Sequence, residues 1–107
     1  MDADGIVVVL STAPDAETAA RIGRTLVDEQ LAACVSRVPE IVSIYRFEGA
    51  VHEDPETLLV IKTCRRNVPD LERRLHELHP YQVPELVVLD ATAGAKYVSW
   101  LRSVTKE

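Results

Sequence analysis

Two cysteines, three histidines and a lysine inside an apolar stretch are the side chains here whose type and spacing could do chemistry. Cys34 lies in the apolar run Leu31 to Val35. A thiol there is either a soft metal ligand or reactive group, or a small hydrophobe packed in a core. Cys64 precedes Arg65 and Arg66, whose charge would favour the thiolate; an incidental thiol is the plainer reading. His76 and His79 stand three apart, a spacing at which two imidazoles on one helix face can chelate a divalent ion. His79 precedes Pro80, however, and a histidine at a helix C-terminus is favoured by the macrodipole alone. The spacing therefore favours a structural pair over a two-histidine chelate. His52 falls in a hairpin tip and is expected to be exposed. Lys62 follows Leu58 to Ile61 in what reads as a central strand, where an unpaired ammonium is costly; it needs a carboxylate or a cleft. A thiol–imidazole pair of Cys34 and His79 is conceivable, but no third group is placed to orient it. No nucleophile elbow, phosphate loop or GxGxxG is present. The expectation is a protein that is not an enzyme.

These groups depend on the elements that hold them. Ile6 to Leu10 is a continuous apolar run, expected as a central strand covered on both faces. Asp15 is placed to cap a helix whose stripe is Ala16, Ala19, Ala20, Gly23, Leu26, Val27 and Gln30, small enough for close approach to a sheet. Leu31 to Val38 is a second apolar run closed by Pro39. Ile41 to Phe47 resumes as a strand, Glu48-Gly49 turns, and Val51 to Thr63 returns, with Pro55 marking an edge or a bulge. Asn67-Val68-Pro69-Asp70 reads as a helix start, with Leu71, Leu75 and Leu78 as the buried stripe, and His79-Pro80 ends it. Leu86 to Leu89 reads as a buried strand. Tyr97, Trp100, Leu101 and Val104 follow helical spacing, which predicts packing of Tyr97 and Trp100 on the sheet.

The order β-α-β-β-α-β with a closing helix predicts an α+β, ferredoxin-like sandwich with an extended hairpin. Two helices would cover one face of the sheet, leaving the other apolar and uncovered. The hairpin strands exceed the usual five or six residues, so their tip would overhang so small a body. Both features predict self-assembly. The 107 residues form a single expected domain, with residues 1–4 a flexible N-terminus. Twelve Lys and Arg against seventeen Asp and Glu give a net charge of −5, which argues against nucleic acid and anionic membrane as partners. Five aromatic residues are too few for a base-stacking platform. The acidic start lacks the basic segment of a secretory signal, no apolar run is long enough to span a bilayer, and two cysteines make no disulfide scaffold. A cytoplasmic location is expected.

Fragments along the chain resemble the CutA family, the divalent-cation tolerance proteins: Thr12-Ala13-Pro14-Asp15, Leu31-Ala32-Ala33-Cys34-Val35, Ser43-Ile44-Tyr45, Lys62-Thr63, His79-Pro80-Tyr81-Gln82-Val83-Pro84-Glu85 and Tyr97-Val98-Ser99-Trp100. The likeness runs from about Val7 to Leu101. It implies a ferredoxin-like protomer in a tight homotrimer, with interface pockets by analogy to the nitrogen-regulatory signal proteins. It also implies binding of copper or another divalent cation. In some members a cysteine stands at Ser11 and a histidine at Leu78 and, with the counterpart of His79, these look like a copper site; here only His79 remains. Phe47 replaces a frequent tryptophan.

The resemblance nominates His79 and Cys34 as metal ligands, with Cu(II) or another divalent cation bound and none required for folding. Its motif makes Glu85 the partner of Lys62, in a cleft with Tyr81 or as a structural ion pair. Ile44, Tyr45, Phe47 and Trp100 are the expected trimer interface. The alternatives are a trimeric sensor holding a small anion or metabolite at its clefts, and a structural scaffold.

Overall fold

A computed structural model describes residues 5–107; the flexible N-terminus expected for residues 1–4 lies outside the described residues. Strand β1 (Ile6–Ala13), helix α1 (Ala16–Asp28), strands β2 (Cys34–Phe47) and β3 (Ala50–Cys64), helix α2 (Val68–Leu78), strand β4 (Val87–Ala91) and helix α3 (Ala95–Ser103) follow in order. The strands form one antiparallel sheet in the order β2-β3-β1-β4, which is the expected α+β, ferredoxin-like arrangement.

The alternation of each strand sorts its side chains between two unlike faces. Val7, Val9 and Ala13 of β1, and Leu59 and Ile61 of β3, turn to one side. There they close with Ala19, Ile22 and Leu26 of α1 and Leu71 and Leu75 of α2 in one buried cluster. Gly23 permits the close seat of α1, because a Cβ on it would lie 3.0 Å from Val35 Cγ1. Ile22, outside the predicted stripe, is fully buried, whereas Ala16 and Val27, inside it, are exposed.

The opposite face is covered at one end only. Leu101 of α3 packs there with Ile6, Ala33 and Cys64. Beyond that cap Val8, Leu10, Val60 and Lys62 are half-buried, and Val87 and Leu89 are exposed. Three expectations are corrected. β1 is not covered on both faces within one protomer, and of the expected buried strand Leu86 to Leu89 only Val87 to Leu89 lie in a strand, an edge one, because β4 pairs only with β1. Tyr97 and Trp100 do not pack on the sheet; both are exposed and lean on each other with ring centroids 5.5 Å apart.

Helix α1 is locally specified. Asp15 is extended, and its Oδ1 accepts from the Thr18 backbone N–H at 2.7 Å. That bond holds the carboxyl below its ordinary range, so the cap stabilises the fold above the unfolded carboxylate pKa and is lost as pH falls through the lowered one. Asp15→Ala is expected to lower the melting temperature at pH 7 while Asp15→Asn keeps most of it. The gap between Asp15→Ala and the wild type should close in melts near pH 2.

β2 and β3 continue past the sheet as a two-stranded ribbon. The last β1–β3 pair is Ala13 with Thr57, whereas β2 and β3 stay paired out to Phe47 and Ala50. Glu48 and Gly49 turn the tip with φ of 51° and 81°, as a twisted two-residue hairpin turn requires. Pro55, opposite Val42, lies beyond the end of β1, so its missing N–H interrupts no bond to β1. β2 runs through Pro39 as one strand with a bulge: Val38 faces Leu58, the next pair is Ile41 with Glu56, and Glu40 has a φ of 61°. The overhang stretches the molecule to 43 × 26 × 23 Å. Its radius of gyration is 14.2 Å, against roughly 13 Å for a compact chain of this length.

Candidate functional site

The ribbon and the segment after α2 flank an open cleft of about 790 Å³. Its walls include Tyr45 and Phe47 from the ribbon, Glu56 from β3, and Tyr81, Val83 and Glu85 from the segment leading to β4. The β2 bulge brings this set together: by advancing β2 one extra residue it turns Ile41, Ser43, Tyr45 and Phe47 to the face that Glu56 shares.

Each tyrosine is held at both ends. The Tyr81 hydroxyl donates to Glu56 Oε2 at 2.7 Å, and its ring lies against that of His79, centroids 4.7 Å apart. The Tyr45 hydroxyl donates to Asp54 at 2.5 Å, and its ring stacks on His52 at 5.3 Å. Glu56 is 8 % exposed, and the sequence reading did not single it out. The available signal was a carboxylate two residues before the apolar stretch Leu58 to Ile61, the same argument that drew attention to Lys62.

Partial burial, and then the bond to Glu56, push the Tyr81 phenol well above its ordinary range. The neutral phenol is thus favoured by folding, so this contribution is complete below pH 10 and is lost as pH rises beyond it. Tyr81→Phe is expected to lose stability less steeply than the wild type between pH 9 and 11.5, in melts recorded across that range.

His79 is buried at the C-terminal end of α2. Its Nδ1 accepts from the Tyr81 backbone N–H at 3.1 Å, so the proton of a neutral ring sits on Nε2, which donates to the Thr12 carbonyl at 2.7 Å. Both nitrogens are committed, and no lone pair faces a metal. His76 is exposed and does not share a face with His79. Cys34 lies elsewhere, on the open sheet face opposite Lys62. Lys62 is opposite Val8, four residues before Thr12, so about 13 Å of strand separates Cys34 from the His79 contact. The pair read from the sequence as a thiol–imidazole couple is not assembled within the chain.

Lys62 Nζ lies 3.3 Å from Ser36 Oγ and 3.8 Å from Cys34 Sγ. Glu85, its expected partner, is exposed on the cavity rim, and no ion pair joins the two within the protomer. Cys64 is buried beneath α3, its sulfur 3.7 Å from Thr105 Oγ1; that is a packed thiol rather than a reactive one. Ser11 is fully buried, with an Oγ that has no hydrogen-bond partner.

Among the described residues no three His, Cys, Asp or Glu side chains are grouped to hold a metal ion. The nominated ligands of one protomer therefore do not form a closed site, since a protein metal site takes three or four donors. No helix among the described residues is long and apolar enough to cross a membrane.

Of the expected interface residues, Ile44, Tyr45, Phe47 and Trp100 are all exposed, as are Val42 and Val51. In a monomer this is a large apolar surface in water.

Residues 7–104 match the profile of a family described as CutA1 divalent ion tolerance protein. The divalent-cation tolerance protein CutA of Thermus thermophilus is 50% identical over 99 residues, covering 92% of this chain and 96% of that protein. Protein CutA of Homo sapiens is 41% identical over 96 residues, 89% of this chain; the human protein is longer, and the match covers 54% of it. Among solved structures, the divalent cation tolerance protein Cut A1 from Thermus thermophilus superposes with a TM-score of 0.91 at 48% identity, covering 94% of this chain and 99% of that one. CutA1 from Oryza sativa superposes with a TM-score of 0.93 at 39% identity, covering 96% and 95%. Sequence, strand order and backbone agree over nearly the whole length, and the chain belongs to the CutA family of divalent-cation tolerance proteins.

Proposed function

We propose that this chain serves cation tolerance in the cytoplasm as a homotrimer that binds rather than catalyses, taking a copper-type divalent ion where subunits meet. The observation that carries this reading is the uncovered apolar surface. Val42, Ile44 and Val51 are each more than 60 % exposed on the overhanging ribbon, and the open sheet face beside them bears Cys34. Apolar surface of this extent is stable in water only when covered, and copies of the chain are the cover this reading assigns. A soft thiol suits copper over harder ions. With Cys34 and Glu85 on surfaces open to a neighbour, the missing donors come from a second subunit. His79 acts by positioning the 80–85 segment through its bonds to Thr12 and Tyr81.

Calorimetric titration of Cu(II) into the wild type and Cys34→Ala, with Mg(II) as the control for diffuse attraction to an acidic chain, tests the reading. Saturable uptake by the wild type that is lost in Cys34→Ala is expected. Heat equal to the buffer blank, or unaltered by the substitution, would overturn it.

One observation favours a second reading. The Lys62 ammonium lies against Ser36 and Cys34 and meets no carboxylate among the described residues, which leaves a positive charge to hold a small anion. A melting-temperature rise with phosphate or citrate that Lys62→Ala abolishes would establish it.

A further inference from the structure

We infer a site for a hydroxyl-bearing oxyanion, of which inorganic phosphate is the simplest, in the groove between α1 and the free edge of β2. Ala20, Gly23, Arg24 and Asp28 of α1 and Val35 and Arg37 of β2 border this groove, whose volume is about 270 Å³. It lies on the helix-covered side of the sheet. Val35 packs with the main core, and Arg37 is paired with the fully buried Leu59, so alternation turns both side chains toward α1. The apolar ribbon assigned to assembly begins beyond the β2 bulge, and Lys62 meets Cys34 and Ser36 on the opposite face. The groove is therefore built from neither of those surfaces.

The close seat of α1 brings two guanidinium groups to one place. Gly23 lets the helix lie directly over Val35. Arg24, the next residue of the helix, and Arg37, two residues along the strand, then flank the same groove. Arg21, Arg65, Arg73 and Arg74 each donate to a carboxylate or a carbonyl. Arg24 and Arg37 have no such partner among the described residues. Asp28 follows Arg24 by one helical turn without pairing with it; base before acid is the weaker order for such a pair.

The mixture of charges decides the class of ion. A guanidinium presents parallel N–H donors that match the oxygens of a tetrahedral anion. Against the two arginines stand the Asp28 carboxylate and about half a negative charge at the C-terminal end of α1. A bare dianion thus gains little. An ionised carboxylate only accepts hydrogen bonds, so Asp28 repels sulfate, which carries no hydroxyl at neutral pH. Phosphate retains a P–OH that can donate to Asp28 while its other oxygens face the arginines. The groove distinguishes the two ions by that proton rather than by shape. Its volume is just below the range of roughly 300–1,000 Å³ for drug-sized ligands, which suits a small ion.

Isothermal titration of the full chain with inorganic phosphate, at fixed low ionic strength, tests the inference; sulfate serves as the ion of like shape without a hydroxyl. Light scattering on the same sample records the assembly state. Saturable binding of phosphate is expected, with sulfate at least about tenfold weaker. Arg24→Gln and Arg37→Gln, both at exposed positions where folding is not at stake, should each weaken phosphate by about tenfold. Asp28→Asn, whose amide both donates and accepts, should bring the two ions to within about threefold of each other. Lys62→Ala should leave phosphate affinity unaltered, which separates this site from the open sheet face. No saturable heat with phosphate, equal affinity for sulfate in the wild type, or indifference to both arginine substitutions would overturn the proposal. Binding that Lys62→Ala abolishes would do the same. So would binding confined to an unassembled Ile44→Asp chain, because a neighbouring copy would then cover the groove.

Discussion

Ile44→Asp is expected to reduce the mass in solution from that of three chains to that of one. Ile44 is 69 % exposed in the protomer, the second position after Val42 on a ribbon that no helix reaches. If copies cover this ribbon, a carboxylate at Ile44 must be desolvated on assembly without a partner, and that cost exceeds what one lost isoleucine contact explains. Within the protomer the substitution touches little, because the side chain already stands in water. The variant should therefore fold, with far-ultraviolet circular dichroism like that of the wild type, and fail to assemble. Light scattering at micromolar concentration reads the result directly. A wild-type monomer, or an unaltered mass in Ile44→Asp, would remove the proposed trimer.

The second large effect lies in the core. Ile61 is fully buried among Ile22, Leu26, Leu59 and Leu71, where both covering helices meet the sheet. Ile61→Ala removes this packing and leaves a void, at a cost of about 2–5 kcal/mol. For a domain of this size that lowers the melting temperature by roughly 10–20 °C. Val60 is its neighbour on the opposite face and only half-buried. Val60→Ala should leave monomer stability nearly unaltered and act instead on assembly. Assembly makes melting temperature concentration-dependent, so both substitutions are best compared in the Ile44→Asp background. A loss below about 1 kcal/mol for Ile61→Ala would contradict the core assignment.

What the sequence made legible was local. The Asp15 cap, the end of α2 at His79-Pro80 and the Glu48-Gly49 turn each depend on a few adjacent residues, and each is present. The length of the ribbon followed from two long strand patterns, and the strand order from their alternation with helices. Misreadings arose where burial depends on neighbours in space. Leu86 to Leu89 is uniformly apolar, as a covered strand would be, yet β4 is an edge with one face open. Tyr97 and Trp100 have the spacing of a packed stripe, but Leu101 alone of α3 is buried. The chemistry was the least legible. The commitment of His79 depends on a carbonyl 67 residues away. The approach of Lys62 to Cys34 depends on register, which no single segment encodes. Glu56 became visible only once Tyr81 was seen to reach it.

The bulge in β2 has a bearing on how such a chain can vary over generations. Because strand side chains alternate, the extra residue at Pro39–Glu40 decides which half of the ribbon's side chains looks into the cavity. Removing one residue there would send Tyr45 and Phe47 to the outside and turn Val42 and Arg46 inward, with no change in any other letter of the sequence. Substitutions along the ribbon alter the wall one group at a time, whereas an insertion or deletion at this corner exchanges the whole wall at once. Copying errors in length are therefore far more damaging at this corner than changes of residue type, and lineages are free to explore the ribbon's composition only while keeping its count.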